Sequence, residues 1–260
     1  MNKRIITATF LMAMSSLAGF AQRQFDNLDR GLIAVKSNGG MYCSWRINAD
    51  EYYATTYDLY RDGVKVNDQP LTVSNFTDPN GTLESQYTVK AVHAGQASAN
   101  SKKGLSLANE WLEVKKPKRI SNDGKTDISN QYEPNDATIG DVDGDGEMEL
   151  ITKQLFIGQD PNNTSQADFA RIEVQKLDGT LLWWIDCGPN MWDFQQNEIN
   201  IMAYDWDGDG KAECVARLQD GSVIHMADGT TYTVGDATKD YRGGVYNFLS
   251  KGDEFLAYMN

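Results

Sequence analysis

Two stretches of this chain repeat one acidic pattern. Asp141-Val142-Asp143-Gly144-Asp145-Gly146-Glu147-Met148-Glu149 and Asp205-Trp206-Asp207-Gly208-Asp209-Gly210-Lys211-Ala212-Glu213 both read D-x-D-G-D-G-x-x-E. Aspartates at alternate positions, separated by glycines that let the backbone wrap tightly, gather hard oxygen donors around one point. Such donors suit calcium, at roughly 2.3–2.6 Å per oxygen. The ligands expected in the first copy are Asp141, Asp143, Asp145 and Glu149, with a backbone carbonyl at Glu147. In the second copy they are Asp205, Asp207, Asp209 and Glu213, with a carbonyl at Lys211. An EF-hand opens in a similar way but needs a bidentate Glu at loop position twelve. Thr152 and Ala216 occupy that position here.

The flanks show which elements must hold these loops. Ala137-Thr138-Ile139-Gly140 leads into the first loop and Glu149-Leu150-Ile151-Thr152 leaves it. Ile199 to Tyr204 leads into the second and Cys214 to Leu218 leaves it. These runs are short, apolar or alternating, and rich in β-formers, so they read as strands. The calcium is therefore expected to pin strand-to-strand turns, a structural rather than catalytic task. Asp62-Gly63 between Tyr57–Arg61 and Val64–Val66 signals a hairpin whose two turn residues need positive φ. Asp178-Gly179 between Arg171–Leu177 and Thr180–Ile185 signals another, and Ser222–His225 follows Asp220-Gly221 in the same style. Further strands are expected at Gly31–Lys36, Met41–Ile47, Gln86–Val92 and Phe255–Asn260, with a new repeat beginning near Tyr246.

The division expected is a signal peptide over 1–21, a fibronectin-III-like β-sandwich over 22–115, a linker or latch strand over 116–132, and β-propeller blades over 133–260. The basic residues of the linker read as a solvated connector. The blade region holds two blades and part of a third. A closed ring needs at least four, so the chain reads as an N-terminal fragment of a longer product or as a reduced homologue.

Composition narrows the function. Lys3 and Arg4 followed by the apolar run Ile5–Phe20 and the small Ala21 form a secretory signal, implying a secreted or periplasmic protein. That run is weaker than the roughly 20 strongly apolar residues a membrane span needs. The net charge is −13, from 37 acidic and 24 basic residues. Such a balance excludes nucleic acid, whose phosphates require Lys and Arg, and disfavours a membrane surface. An anionic polysaccharide is compatible only where calcium or a local basic patch offsets the repulsion. Cys43, Cys187 and Cys214 allow at most one bridge, and their spacing is not that of a zinc site. Cys43 and Cys214 sit in apolar strand patterns and read as buried small residues. Trp45 reads as filler between sheets. Among Trp183, Trp184, Trp192 and Trp206, the last is the best candidate for an exposed sugar platform. His93 and His225 form no motif.

Several stretches together resemble rhamnogalacturonan lyases of polysaccharide lyase family 11. They are Arg23 to Val35, Ser44-Trp45-Arg46, Tyr60-Arg61-Asp62-Gly63, Asn135-Asp136-Ala137 running into the first acidic loop, Tyr204 to Glu213, and Gly235-Asp236-Ala237 with Asp240-Tyr241-Arg242. The resemblance implies an all-β protein, a fibronectin-like domain followed by an eight-bladed propeller loaded with calcium. It also implies β-elimination at galacturonate in the galacturonate–rhamnose backbone of rhamnogalacturonan I, an acidic plant polysaccharide. A base takes the C5 proton, cations held at the neighbouring carboxylate spread the developing charge, and the C4 oxygen leaves. By resemblance Asn135 faces substrate. Where the family usually reads Lys-Trp-Asp after the first loop, this chain reads Lys153-Gln154-Leu155 and lacks that carboxylate. Before the second loop, where the family usually reads His-Tyr-Thr-Gln, Gln195 to Glu198 lies nearby. Lys153 and Arg217, leaving their loops on strands, are expected to point toward the propeller axis and bind substrate. The protein is expected to be a monomer. The alternative is a non-catalytic calcium-dependent glycan-binding or adhesion protein, since acidic loops of this kind also occur in integrin-type repeats. A calcium-stabilised structural module with no glycan role ranks below both.

Overall fold

A computed structural model describes residues 28–49, 51, 54–160, 162–191, 200–243 and 252–259. The expected signal segment, the Arg23–Asn27 stretch, Trp192, Gln195 to Glu198, the repeat start near Tyr246 and the terminal Asn260 lie outside these residues. The described chain is all-β apart from a 3-10 turn at Ser129–Gln131. Among the described residues no helix is long and apolar enough to cross a membrane.

The N-terminal part folds as two four-stranded sheets. The first contains β1 (Ile33–Ser37), β2 (Gly40–Ser44), β5 (Asn75–Asp78) and β8 (Leu105–Leu107), in the order β5-β2-β1-β8. The second contains β3 (Thr55–Arg61), β4 (Val64–Lys65), β6 (Tyr87–His93) and β7 (Gln96–Ala97), in the order β4-β3-β6-β7. Alternation sets which side chains meet. Ala34, Met41, Cys43 and Trp45 from one side and Tyr57, Leu59, Tyr87, Val89 and Ala91 from the other share one buried cluster. Trp45 packs edge-on against Tyr57 with ring centroids 5.6 Å apart, which is the filling role its position predicts. The hairpin turn has φ of 51° at Asp62 and 81° at Gly63, as its sequence requires. Buried Asp78 is the polar anchor of this core. It accepts from Arg61 Nη1 at 2.7 Å and from the Tyr87 hydroxyl at 2.9 Å, so its charge is compensated.

The second part is built from β9 (Tyr132–Gly140), β10 (Glu149–Phe156), β11 (Arg171–Gln175), β12 (Leu181–Asp186), β13 (Ile201–Tyr204), β14 (Glu213–Gln219), β15 (Val223–Met226), β16 (Thr231–Thr233) and β17 (Glu254–Met259). β9 to β12 form an antiparallel meander in sequence order. The next four strands do not form a sheet of their own. β15 and β16 continue the meander sheet, giving the order β16-β15-β12-β11-β10-β9, whereas β13 pairs with β14 and β14 with β17. The edge of β12 is where this happens. Trp184 stacks flat on His225, with centroids 3.8 Å apart and planes at 3°, and Ser222 Oγ donates to the Cys187 carbonyl at 2.8 Å. Covering that edge satisfies backbone groups that an open strand would leave exposed. The two sheets pack through Ile151, Ile172, Val174, Ile185, Cys214, Ala216 and Leu218. Cys43, Cys187 and Cys214 are all free thiols and buried, and burial pushes Cys43 and Cys214 up to about 12.

In the segment between the two parts, Lys115, Lys116, Lys118 and Lys125 are exposed, as a solvated connector would have them, but Arg119 is buried against the meander sheet. Arg119, 1% exposed, donates from Nε and Nη2 to both carboxylate oxygens of Glu173 at 2.6 Å. Asn122 donates to Asp168 and Asp186. The Tyr132 ring lies between Arg119 and Arg171, each 5.1 Å from its centroid, and Arg171 in turn stands 4.2 Å over Trp184. A guanidinium is weakly hydrated and planar and pairs bidentately with a carboxylate, which suits it to this burial. Arg119→Met should lower stability by about 3–5 kcal/mol, because Glu173 is left buried and uncompensated. Adding Glu173→Met should recover most of that loss, and urea unfolding midpoints at unchanged slope check both outcomes.

Candidate metal centres

The two acidic loops sit at corresponding places, one at the tip of the β9–β10 hairpin and one at the tip of β13–β14. Their backbones wrap alike. φ is 75° at Gly144 and 86° at Gly146, against 77° at Gly208 and 94° at Gly210, a region open to glycine at no steric cost. The hydrogen bonds repeat as well. Gly146 N donates to Asp141 Oδ2 at 2.8 Å and Gly210 N to Asp205 Oδ2 at 3.0 Å. Val142 N donates to Glu149 Oε2 at 2.9 Å and Trp206 N to Glu213 Oε2 at 2.8 Å. In each loop the ninth-position Glu thus clasps the second residue, and the first Asp clasps the sixth.

These bonds use only one oxygen of each buried carboxylate. Asp141 is 6% exposed and its Oδ1 has no hydrogen-bond partner; Glu213 is fully buried and its Oε1 has none. A buried carboxylate oxygen left unpaired is costly. A cation seated at the loop centre would satisfy both atoms, so the donor sets fit a metal ion. Burial pushes Glu149 up to about 7 and raises Asp141 above the usual carboxylate range, with the Val142 and Gly146 N–H groups opposing it. In the second loop Asp205, Asp207, Asp209 and Glu213 bring their oxygens within 4.8 Å of one another. In the first, the corresponding group is Asp141, Asp143 and Glu149. Asp145, expected as a fourth ligand, is instead drawn outward. Lys176 Nζ lies 2.9 Å from its Oδ2 and 2.6 Å from Asp143 Oδ2, and holds Asp145 below the usual carboxylate range.

The first loop is also a junction. Asp29 N donates to the Gly146 carbonyl at 3.0 Å, and Lys102, just before β8, donates to the Asp145 carbonyl. Lys102 also ion-pairs with Asp145 and Glu147, each at 3.7 Å. Glu147 and Lys211, expected to lend carbonyls, both carry exposed side chains. The loops touch one another: Ala212 N donates to the Asp141 carbonyl at 2.6 Å. A Cβ at Gly140 would lie 2.9 Å from the Ala212 Cβ, so only glycine permits this approach. Lys102 and Lys176 carry no sequence signal of this role, because neither lies near an acidic loop in the chain.

The residues expected to meet substrate separate into two places. Asn135 and Lys153 come together across the β9–β10 ladder, where the register shifts between Thr152 and Gln154. Asn135 Oδ1 is buried without a partner. Lys153 is fully buried, with its Nζ 3.3 Å from Asp136 Oδ2. Its ammonium therefore sits behind Asp136 rather than in open contact with a polymer. Arg217 lies on the three-stranded sheet and donates to Glu254 at 2.8 Å. Trp206 is 45% exposed beside exposed Tyr204 and Tyr258, more accessible than Trp183 and Trp184, although Trp111, which carried no such expectation, is 61% exposed. Trp183 is partly buried against the core, and Trp184 is covered by Arg171 and His225.

Comparison with known proteins decides the family. Residues 23–106 match the profile of the rhamnogalacturonan I lyases β-sheet domain, and residues 111–260 match that of the rhamnogalacturonan lyase family 11 C-terminal domain. The chain belongs to rhamnogalacturonan lyase family 11. Within that family it is 38% identical to the rhamnogalacturonan endolyase YesW of Bacillus subtilis (strain 168), over 98% of this chain and 42% of YesW. It is 39% identical to the rhamnogalacturonan exolyase YesX of the same organism, over 90% of this chain and 38% of YesX. The crystal structure of YesW superposes with a TM-score of 0.74 at 37% identity, covering 92% of this chain and 40% of that one. A rhamnogalacturonan lyase of Bacillus licheniformis gives 0.70 at 33% identity, covering 91% of this chain and 40% of that one. This family 11 chain thus spans about two fifths of the length of the curated relatives it matches.

A cation bound only by the folded state stabilises it, by about 2.7 kcal/mol at a hundredfold excess over Kd. Calorimetry should therefore show a higher Tm with divalent cation than with chelator. The double variant Glu149→Gln, Glu213→Gln, which removes one carboxylate from each cluster at nearly constant shape, should lose most of that gain.

Proposed function

We propose that the protein is a secreted, calcium-loaded lyase that cleaves the rhamnogalacturonan I backbone by β-elimination at galacturonate. The observation that carries this is identity of 38% running through 98% of the chain to a rhamnogalacturonan endolyase. Two unrelated regions, the sandwich and the loop-bearing sheets, both match the family. β-Elimination consumes no water, so it needs no carboxylate pair of the kind glycoside hydrolysis uses.

Within this reading the residues take distinct tasks. Calcium is the cation that suits the all-oxygen donor sets at 141–149 and 205–213, and its task there is structural, holding hairpin tips closed. The carbonyls at Glu147 and Lys211 complete the coordination. Asn135 faces substrate, and Lys153, paired with Asp136 beside it, is the cationic residue of that place. Arg217 is a second cationic contact. The architecture is a fibronectin-III-like sandwich over 22–115, a latch over 116–132 and β-propeller sheets over 133–260. The two-sheet N-terminal core and the β9–β12 meander support that description. Residues 1–21 act as a cleaved signal, and the protein works as a monomer outside the cytoplasm. Its charge of −13 speaks against nucleic acid and membrane partners.

A second reading has its own observation. Trp206, Tyr204 and Tyr258 form an exposed aromatic group at the second loop, which suits stacking on sugar rings without chemistry. The two readings separate in one assay. Protein expressed from its complete reading frame, incubated with rhamnogalacturonan I and calcium, should raise ultraviolet absorbance as unsaturated uronate accumulates, and chelator should suppress the rise. Retained polysaccharide with flat absorbance would replace the lyase by the binding module.

A further inference from the structure

The two acidic loops share a sequence pattern, a backbone path and a hydrogen-bond scheme, yet their electrostatic surroundings differ. The first has a lysine in it. Lys176 projects from the β11–β12 turn, with Nζ 2.6 Å from Asp143 Oδ2 and 2.9 Å from Asp145 Oδ2. Lys102 stands behind Asp145 and Glu147 from the N-terminal part. Among the described residues no Lys or Arg pairs with Asp205, Asp207, Asp209 or Glu213, and those four carboxylates converge without interference.

We infer that the loops are unequal cation sites, that the loop at 205–213 fills first, and that Lys176 is a built-in competitor weakening the loop at 141–149. The inference rests on the reading of both loops as cation sites, which the unpartnered buried oxygens of Asp141 and Glu213 support. An ammonium on two of the donors has to leave before a divalent ion can use them. It also offsets part of the negative potential that draws the ion in. Asp145, paired with both Lys176 and Lys102, lies outside the cluster that Asp141, Asp143 and Glu149 form, whereas Asp143, paired with Lys176 alone, stays inside it. The arrangement has a structural logic. The first loop carries the contact with the N-terminal sandwich, through Asp29 and Lys102. An internal cation keeps that junction folded when external cation is scarce. The second loop has no such substitute and depends on its ion.

Calorimetric titration of the full protein with calcium tests this, with terbium luminescence excited through tryptophan as a second readout. Trp206 lies inside the second loop, where the first has Val142, so sensitised emission reports chiefly on the second loop. The binding class that vanishes in Asp209→Asn should be at least about tenfold tighter than the class that vanishes in Asp141→Asn. Lys176→Met should tighten that weaker class by about tenfold and leave the other unmoved. Lys176→Gln should behave like Lys176→Met, and Lys176→Arg, which keeps the charge, should stay weak. Equal affinities in the unmodified protein, or a weaker class indifferent to loss of the Lys176 charge, would overturn the inference while leaving both loops as cation sites. Absence of uptake in every variant would instead remove the calcium reading itself.

Discussion

The constraint on which the second half of this protein depends is crowding of like charge at the hairpin tips. The first acidic loop folds five carboxylates into one turn and the second four, and two of the nine retain buried oxygens with no hydrogen-bond partner. Backbone N–H groups of the turns satisfy both oxygens of Asp205 but leave Asp141 Oδ1 and Glu213 Oε1 without a partner. The remaining negative potential has to be met by a positive charge. In one loop lysines from two different parts of the chain supply some of it. In the other no described side chain does. On the proposed reading of both loops as cation sites, folding of these tips is coupled to the cation they hold.

That coupling reaches beyond the loops because of where they stand. The first caps the β9–β10 hairpin, touches the second through the Ala212 N–H, and receives Asp29 and Lys102 from the N-terminal sandwich. The short approach at Gly140 locks the hairpins side by side. On the opposite face of the meander sheet, the Arg119–Glu173 pair and the Arg119–Tyr132–Arg171–Trp184 stack tie the connecting segment down. The two parts of the chain are thus joined at one end through carboxylates and ammonium groups, and at the other through guanidinium groups and aromatic rings. Salt and cation changes should act mainly on the first junction, since exposed charges are screened and buried pairs much less.

Much of this was legible in the chain because it is local. Alternation placed Met41, Cys43, Tyr87 and Val89 on the inner faces of their strands. Asp62-Gly63 specified its turn, and the doubled D-x-D-G-D-G-x-x-E pattern located both carboxylate clusters, all but Asp145 of the expected side chains falling within them. Strands such as β5 and β8 escaped notice because neither is apolar enough or long enough to show a period; pairing with β2 and β1 makes them strands. Lys153 reads as a substrate contact on its strand; that it is buried with Nζ 3.3 Å from Asp136 Oδ2, beside a register shift, is visible only in the fold.

The amino-acid sequence by itself determined the all-β class, the positions and donor chemistry of the acidic loops, and the family. Each of these depends on residue type at short spacing, which backbone geometry converts directly into structure. Only the tertiary structure decided that β15 and β16 extend the meander sheet while β13, β14 and β17 form a separate sheet in that order. It alone buried Arg119 on Glu173, and it alone made two identical motifs unequal by setting Lys176 against one of them. Those outcomes turn on which distant segments meet, and the free energy of such a meeting comes from charge pairing, ring stacking and edge coverage between residues that no local pattern relates.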